Sequence, residues 1–383
     1  MTETAKITLA GREPRRAAEL LQGGNRCPVV HSVDGEVIVL GNPEARTVAE
    51  DPERYSSQVS SHLQLPNGLD GEEHTLFRGL IERYLEPAVV EKREEDFHAV
   101  ARDVIDTCLT GQRAAVDAVG DLGARYAVRA MTTWLGWPSE FEERLVGWVQ
   151  DNAAATRSGD PARTAAVADE FDRIITEVLT PRLEDGASYE DVTQQLITDT
   201  SLGRRLKKKE IVSILRNWTG GDLSSMALCI GVILHRLGAD TALQEHLRFG
   251  VSDEEFEAIA DEMLRMDNPF VSNRRITTCP VTLGGVEMPA GQRVRIHWTA
   301  ANLDPEAVTD PDTFAPEEHA AHNLVWGAGP HVCPGKPLSM VELRAFLSEL
   351  LSSVAVWPGS AEGIRAVYPV GGWESLPVVL ERL

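Results

Sequence analysis

The stretch Asn323–Leu350, NLVWGAGPHVCPGKPLSMVELRAFLSEL, decides how the rest of the chain is read. Its first half is glycine-rich and holds one cysteine, Cys333, between His331 and Pro334-Gly335. Its second half places Met340, Leu343, Leu347 and Leu350 at three- and four-residue steps, the period of a helix with one apolar face. A thiol presented by a glycine-rich loop just ahead of a buried helix suits a metal better than a core. Thiolate is the ligating form, and backbone N–H groups must surround it to tolerate its charge. Gly327, Gly329 and Gly335 let the backbone wrap the sulfur without side-chain obstruction.

The run Trp326 to Gly335, WGAGPHVCPG, resembles the haem-binding loop of the cytochrome P-450 monooxygenases, Phe-x-x-Gly-x-x-x-Cys-x-Gly. Trp326 stands where the family has Phe and keeps an aromatic cover on the sulfur side. The resemblance implies a mainly α fold with a small β region. It implies one large helical domain spanning 1–383, with a long central helix over haem b. The β-rich part is expected at 28–60, 275–295 and 365–383, and the helical part at 72–270 and 336–352.

Composition agrees with a soluble enzyme. Apolar residues make up 43% and charged residues 25% of the 383 positions. A formal charge of −22 argues against nucleic acid or anionic membrane as a partner. The N-terminal MTETAKITLAGREPRRAAELL has no apolar core, so neither a leader nor a span is expected there. Five scattered cysteines, without CxxC pairs, fit a reducing cytoplasm rather than a disulfide framework or a zinc site.

Along the chain, the β-branched residues around Asp34-Gly35 predict a hairpin over Pro28–Leu40. A turn-rich loop follows at Ser60–Gly71. His74 and Arg78 share a helix face. In the resemblance they contact the haem propionates, as do Arg275 and His331, whereas Arg274 is solvated. The region from Asp96 to Leu183 reads as helical, broken at Gly111, Gly120, Gly136-Trp137-Pro138 and Ser158-Gly159-Asp160-Pro161, with 140–183 roofing the substrate chamber in the resemblance.

The longest periodic stretch, Glu210 to Leu237, is interrupted by Gly220-Gly221. Two adjacent glycines cost a helix roughly 1–2 kcal/mol, so they are expected to make room for a ligand. The family's Ala/Gly-Gly-x-Asp/Glu-Thr motif fits here in two registers. Starting at Thr219, Gly220 and Asp222 match and Leu223 replaces the threonine; starting at Gly220, both glycines match and Ser224 replaces it. The first is favoured, because a carboxylate on a buried helix needs a reason to be there. Asp222, with water and Ser224, would relay protons, or Ser224 bonds back to its own helix.

Glu262 and Arg265 resemble the family's structural Glu-x-x-Arg pair, which holds the segment before the cysteine loop. Leu65, Trp218, Leu223, Phe270, Val271 and Trp373 are the expected substrate-lining residues, with Trp373 at the tip of a hairpin over Val367–Val379. The implied reaction inserts one oxygen atom of O2 into a small apolar organic substrate. No flavin or iron–sulfur motif is present, so electrons are expected from a separate ferredoxin and its reductase. Lys336, Arg344, Arg78, Arg83 and Arg93 are candidates for its docking patch. Peroxide use or radical coupling, motivated by the missing threonine, and a non-catalytic haem protein are the alternatives. A hydrolase lacks a GxSxG elbow.

Overall fold

The structure, a computed structural model, describes residues 9–22, 27–60, 62–184 and 188–383. Residues 1–8 of the N-terminal stretch, and Ser61 of the Ser60–Gly71 loop, lie outside the described residues.

The helix Lys208–Ala239 runs 32 residues, roughly 48 Å at 1.5 Å per residue. It starts where Glu210 accepts the N–H of Lys207 at 2.7 Å and is gripped by Arg204. By length and composition it could cross a membrane, yet 61% of its most apolar window is buried inside the protein. Apolar residues on nearly every face are what a helix enclosed by others requires. Helices Arg125–Leu135, Pro161–Glu184, Asp253–Met266 and Lys336–Ser353 all pack on it.

Gly220-Gly221 does not interrupt this helix, contrary to the expectation. A Cβ on Gly220 would meet Phe171 at an ordinary 3.5 Å, and one on Gly221 would meet nothing within 4 Å. Tertiary packing along the whole helix outweighs the local propensity cost. A tighter constraint falls on Gly231, whose added Cβ would sit 2.6 Å from Val119. This lets the helix press on the π-helical turn Ala118–Ala124.

Two further differences are nonlocal in origin. Within the stretch expected to be helical, Arg113–Asp117 is a strand, pairing with Pro377–Arg382, which in turn pairs with Val354–Pro358. The partner lies some 260 residues away, beyond the reach of any local periodicity. The same pairing replaces the expected Val367–Val379 hairpin. Trp373–Ser375 turns back onto Ile364–Arg365, and Val370 bridges to Phe270.

The main sheet has the order Val29–His31, Val37–Val39, Arg293–His297, Ser272–Thr277, Tyr55–Ser56. Its first two strands form the hairpin expected around Gly35. Val37 pairs with Val294 in parallel, and Val294 with Arg275 antiparallel, so Arg275 is carried on an inner strand.

Candidate functional site

Cys333 ends a loop shaped by two left-handed glycines, Gly327 (φ +78°) and Gly329 (φ +69°). A Cβ on Gly329 would stand 2.4 Å from the Ala49 carbonyl, so only glycine lets the loop rest on the helix Asn42–Glu50. The Cys333 N–H donates to the Trp326 carbonyl at 2.9 Å, closing the loop. Gly335 then opens the helix Lys336–Ser353. The N–H groups of Gly335 and Lys336 point at the Cys333 sulfur. Burial pushes the thiol pKa up, and these N–H groups and Arg78 oppose it. A metal would complete the deprotonation.

The loop is held from the helix Asp253–Met266. Asp261 accepts from Trp326 Nε1 at 2.6 Å and from Lys336 Nζ at 3.0 Å, and its carbonyl accepts from Asn323 at 2.9 Å. Next to it, Arg265 donates twice to Glu262, at 2.6 and 2.8 Å. Arg265 also reaches the carbonyls of Asn302 and Pro311, both at 2.9 Å. Glu262 accepts further from Ala315 N and lies 2.7 Å from His319 Nδ1. The pair is fully enclosed, and its partners outweigh burial to hold the Glu262 pKa below the usual range. It ties together the chain just before the cysteine loop.

His74, Arg78, Arg275 and His331 converge beside the loop. Arg275 is 6% exposed and donates to the Arg274 carbonyl, with no carboxylate in ion-pairing range among the described residues. Burial accordingly lowers its pKa. Arg274 is exposed. His74 is buried with Nε2 unpartnered, its ring 4.2 Å from that of His331. His331 Nε2 lies 3.0 Å from Ser57 Oγ, and burial with nearby Arg275 pushes its pKa down to about 4. Arg78 does more than was expected of a propionate ligand. It pairs with Glu82 at 2.6 Å and donates to the Val332 carbonyl at 2.6 Å, fastening the cysteine loop.

Arg275 and His331, but not His74 or Arg78, border a cavity of about 370 Å³ lined by Ile81, Leu85, Trp134, Trp218, Val325 and Leu338, among others. Cys333, Trp326, Gly327, Gly335, Arg275 and His331 also face it. From the central helix come Asn217, Trp218, Gly221, Asp222, Ser225 and Met226. Gly221 and Ser225 are four apart and share the cavity face, whereas Ser224 is turned toward Asn152, 3.5 Å away. Gly220 faces Phe171 and Trp148 instead. Leu223 is 0% exposed in the core. Neither sequence register therefore identifies the cavity-facing hydroxyl, which is Ser225.

Among the expected substrate contacts, Trp218 and Phe270 line the cavity. Leu65 is buried behind it, displaced by its neighbours Pro66 and Asn67. Val271 is drawn into the sheet, its carbonyl accepting from Trp298 N at 2.8 Å. Trp373 is taken up between His235, at 4.6 Å, and Arg365, at 4.4 Å. The expected docking cations are neutralised in place. Lys336 pairs with Glu257, Arg344 with Glu94 and Asp253, Arg83 with Asp199, and Arg93 with Asp96.

Sequence reasoning also missed a buried acid pair. Asp222 lines the cavity with Oδ2 sealed and unpartnered, and burial raises its pKa to about 7. Glu342, on the helix after Cys333, is wholly buried with both oxygens unpartnered, and burial together with Asp222 raises its pKa well above the usual carboxylate range. Only the contact between helices brings these residues together.

A flat apolar macrocycle with two carboxylates and a central iron meets each of these features. Cys333 offers sulfur to the iron. Arg275 and the orphaned His74 Nε2 await acceptors, and the aliphatic and aromatic walls suit the ring. The site thus defines a haem-thiolate protein.

A family model described as Cytochrome P450 matches residues 256–364. Cyclomarin C epoxidase of Salinispora arenicola is 26% identical over 319 residues, covering 78% of each chain. Erythromycin C-12 hydroxylase of Saccharopolyspora erythraea is 25% identical, over 81% of this chain and 78% of that protein. The structure of a mutant of P450 EryK in complex with erythromycin B superposes with a TM-score of 0.84 at 23% identity, covering 96% and 97% of the two chains. Over most of its length the chain is thus similar to bacterial cytochromes P450, and the family model covers the segment that carries the cysteine loop.

Proposed function

We propose that the chain inserts one oxygen atom from O2 into a small, largely apolar organic molecule held against Trp218 and Phe270. Bound haem supplies the iron chemistry that activates dioxygen and transfers the oxygen atom. Cys333 is the thiolate ligand. Arg275, His74 and His331 receive the propionates, and Arg78 keeps the cysteine loop seated. Asp222 can hold a proton at the cavity wall, the buried Glu342 disfavours its ionisation from behind, and Ser225 presents a hydroxyl on the same face. An acid kept neutral near pH 7 is suited to donating a proton. That acid supports use of O2, which needs protons, over direct peroxide use.

Electrons come from a separate ferredoxin and reductase. Docking at the cysteine face would exchange ion pairs such as Arg344–Glu94 rather than meet bare cations. The chain acts as one domain in the cytoplasm, a setting consistent with its five free cysteines.

The observation that carries this reading is the Cys333 sulfur at a helix start, facing the cavity whose rim holds Arg275. Carbon monoxide binding to the reduced, hemin-loaded protein tests it. The thiolate-type absorption band should appear in the wild type and vanish in Cys333→Ala. An unchanged band in that variant, or a nitrogen-type band in the wild type, would remove the assignment.

A further inference from the structure

Two central-helix side chains, Ser213 and Asn217, lie one turn apart and both engage the chain around Leu65. Leu65 N donates to Ser213 Oγ at 2.9 Å, and Ser213 Oγ donates to the Leu63 carbonyl at 3.0 Å. Asn217 Nδ2 donates to the Leu65 carbonyl at 2.6 Å. This last bond fixes the amide. Flipped, it would set Oδ1 against a carbonyl oxygen, two acceptors with no proton between them.

The Asn217 oxygen is thus committed to the other side. It has no hydrogen-bond partner among the described residues and is not among the sealed buried atoms, and Asn217 lines the cavity. Pro66, Asn67 and Trp218 line the cavity with it, and Asp222 and Ser225 follow one to two turns further along the helix. The result is an immobilised acceptor on the cavity lining. Filling the space with pure hydrocarbon would strip water from that oxygen and return nothing. A ligand N–H or O–H would replace the lost water.

The donor should be neutral. The adjacent cation Arg216 is turned to Asp172, and burial favours the neutral form of Asp222, the carboxylate on the same lining, so no fixed anion stands ready for a cation. An ammonium there would lose its hydration to a single amide oxygen, which is a poor exchange.

We propose that Asn217 selects substrates that carry a neutral hydrogen-bond donor, a hydroxyl or an amide N–H, on an otherwise apolar skeleton. This rests on the reading of the cavity as the substrate chamber and narrows it, because a wholly apolar substrate is no longer the best fit. Sites built around a fixed polar group discriminate sharply against analogues lacking the complement.

The test is equilibrium binding by titration calorimetry to the hemin-loaded protein. The probes are cyclohexanol, borneol and 1-adamantanol, each against its methyl ether, which keeps the skeleton and removes the donor. At least one alcohol should bind about three- to tenfold more tightly than its ether, the range one net hydrogen bond gives. That ratio should vanish in Asn217→Leu, which keeps the volume. It should persist in Ser213→Ala, which loosens the loop without touching the acceptor. If no alcohol outbinds its ether, or the ratio survives Asn217→Leu, the proposal is overturned. Loss of the ratio in Ser213→Ala as well would assign the effect to loop packing and overturn it too. Failure of the haem-thiolate reading itself would show separately, as a carbon monoxide spectrum without the thiolate band.

Discussion

Replacing Arg275 with methionine should move two quantities in opposite directions. Without haem, Arg275 is a buried cation with no ion-paired carboxylate among the described residues, and burial lowers its pKa despite the more distant Asp70. Methionine matches its length and removes the desolvation cost. It gives up the bond to the Arg274 carbonyl at 2.9 Å, a loss of about 1 kcal/mol. Exchanging buried charge for well-packed apolar volume can gain about 1–4 kcal/mol, so, less that bond, the haem-free chain should be stabilised by about 0–3 kcal/mol. With haem the sign reverses. A propionate buried at the same rim loses its cation, and removing one member of a buried pair costs about 3–5 kcal/mol. Hemin should therefore bind two to three orders of magnitude more weakly. Urea unfolding of the haem-free protein and hemin titration read the two effects separately. A haem-free variant that melts earlier than the wild type, or hemin affinity that does not change, would refute the reasoning.

Three other outcomes follow from the same structure. Asp222 has its folded pKa raised above its unfolded value by burial, so the folded chain holds the extra proton. Stability contributed by that proton is complete below about pH 4 and is lost as pH rises toward about 7. Asp222→Asn should remove this loss, leaving the variant ahead by a few kcal/mol at neutral pH but not at pH 4; parallel melting curves at both pH values would contradict it. Glu262→Gln should destabilise the fold by about 3–5 kcal/mol in urea unfolding, because Arg265 is left enclosed without its counter-charge. A cost below about 1 kcal/mol would show the pair to be dispensable. Ser225→Ala should raise oxygen consumption per product severalfold while Ser224→Ala leaves it unchanged, since only Ser225 faces the cavity; the reverse order would restore the register that places Ser224 there.

How much was legible in advance follows from how far each signal reaches along the chain. Cys333, its glycines and the helix behind it sit within 28 residues, so spacing alone exposed them. Glu262 and Arg265 are one helical turn apart, and the hairpin at Gly35 is a two-strand local motif. The long helix was legible because its apolar residues continue through every turn. These features need only local dihedral preferences and periodicity.

Helical phase, by contrast, had to be set by neighbours. Whether Ser224 or Ser225 meets the cavity depends on a rotation of about 100°, fixed by Phe171, Val119 and the helices packed on either side. Trp373 was lost to the cavity because Arg365 and His235 claim its ring from distant strands and helices. The basic patch dissolved because each cation has an acid: Arg78 and Arg93 pair locally with Glu82 and Asp96, whereas Arg83, Lys336 and Arg344 meet acids from other elements, which sequence distance does not reveal. Asp222 and Glu342 are 120 positions apart in number but enclosed together, which only close packing of two helices can arrange. The sequence by itself determined the resemblance, the cysteine loop and the main helix, since each is written in adjacent residues. Which side chains share the chamber was decided by tertiary structure, because orientation is a property of contacts that the chain makes only once folded.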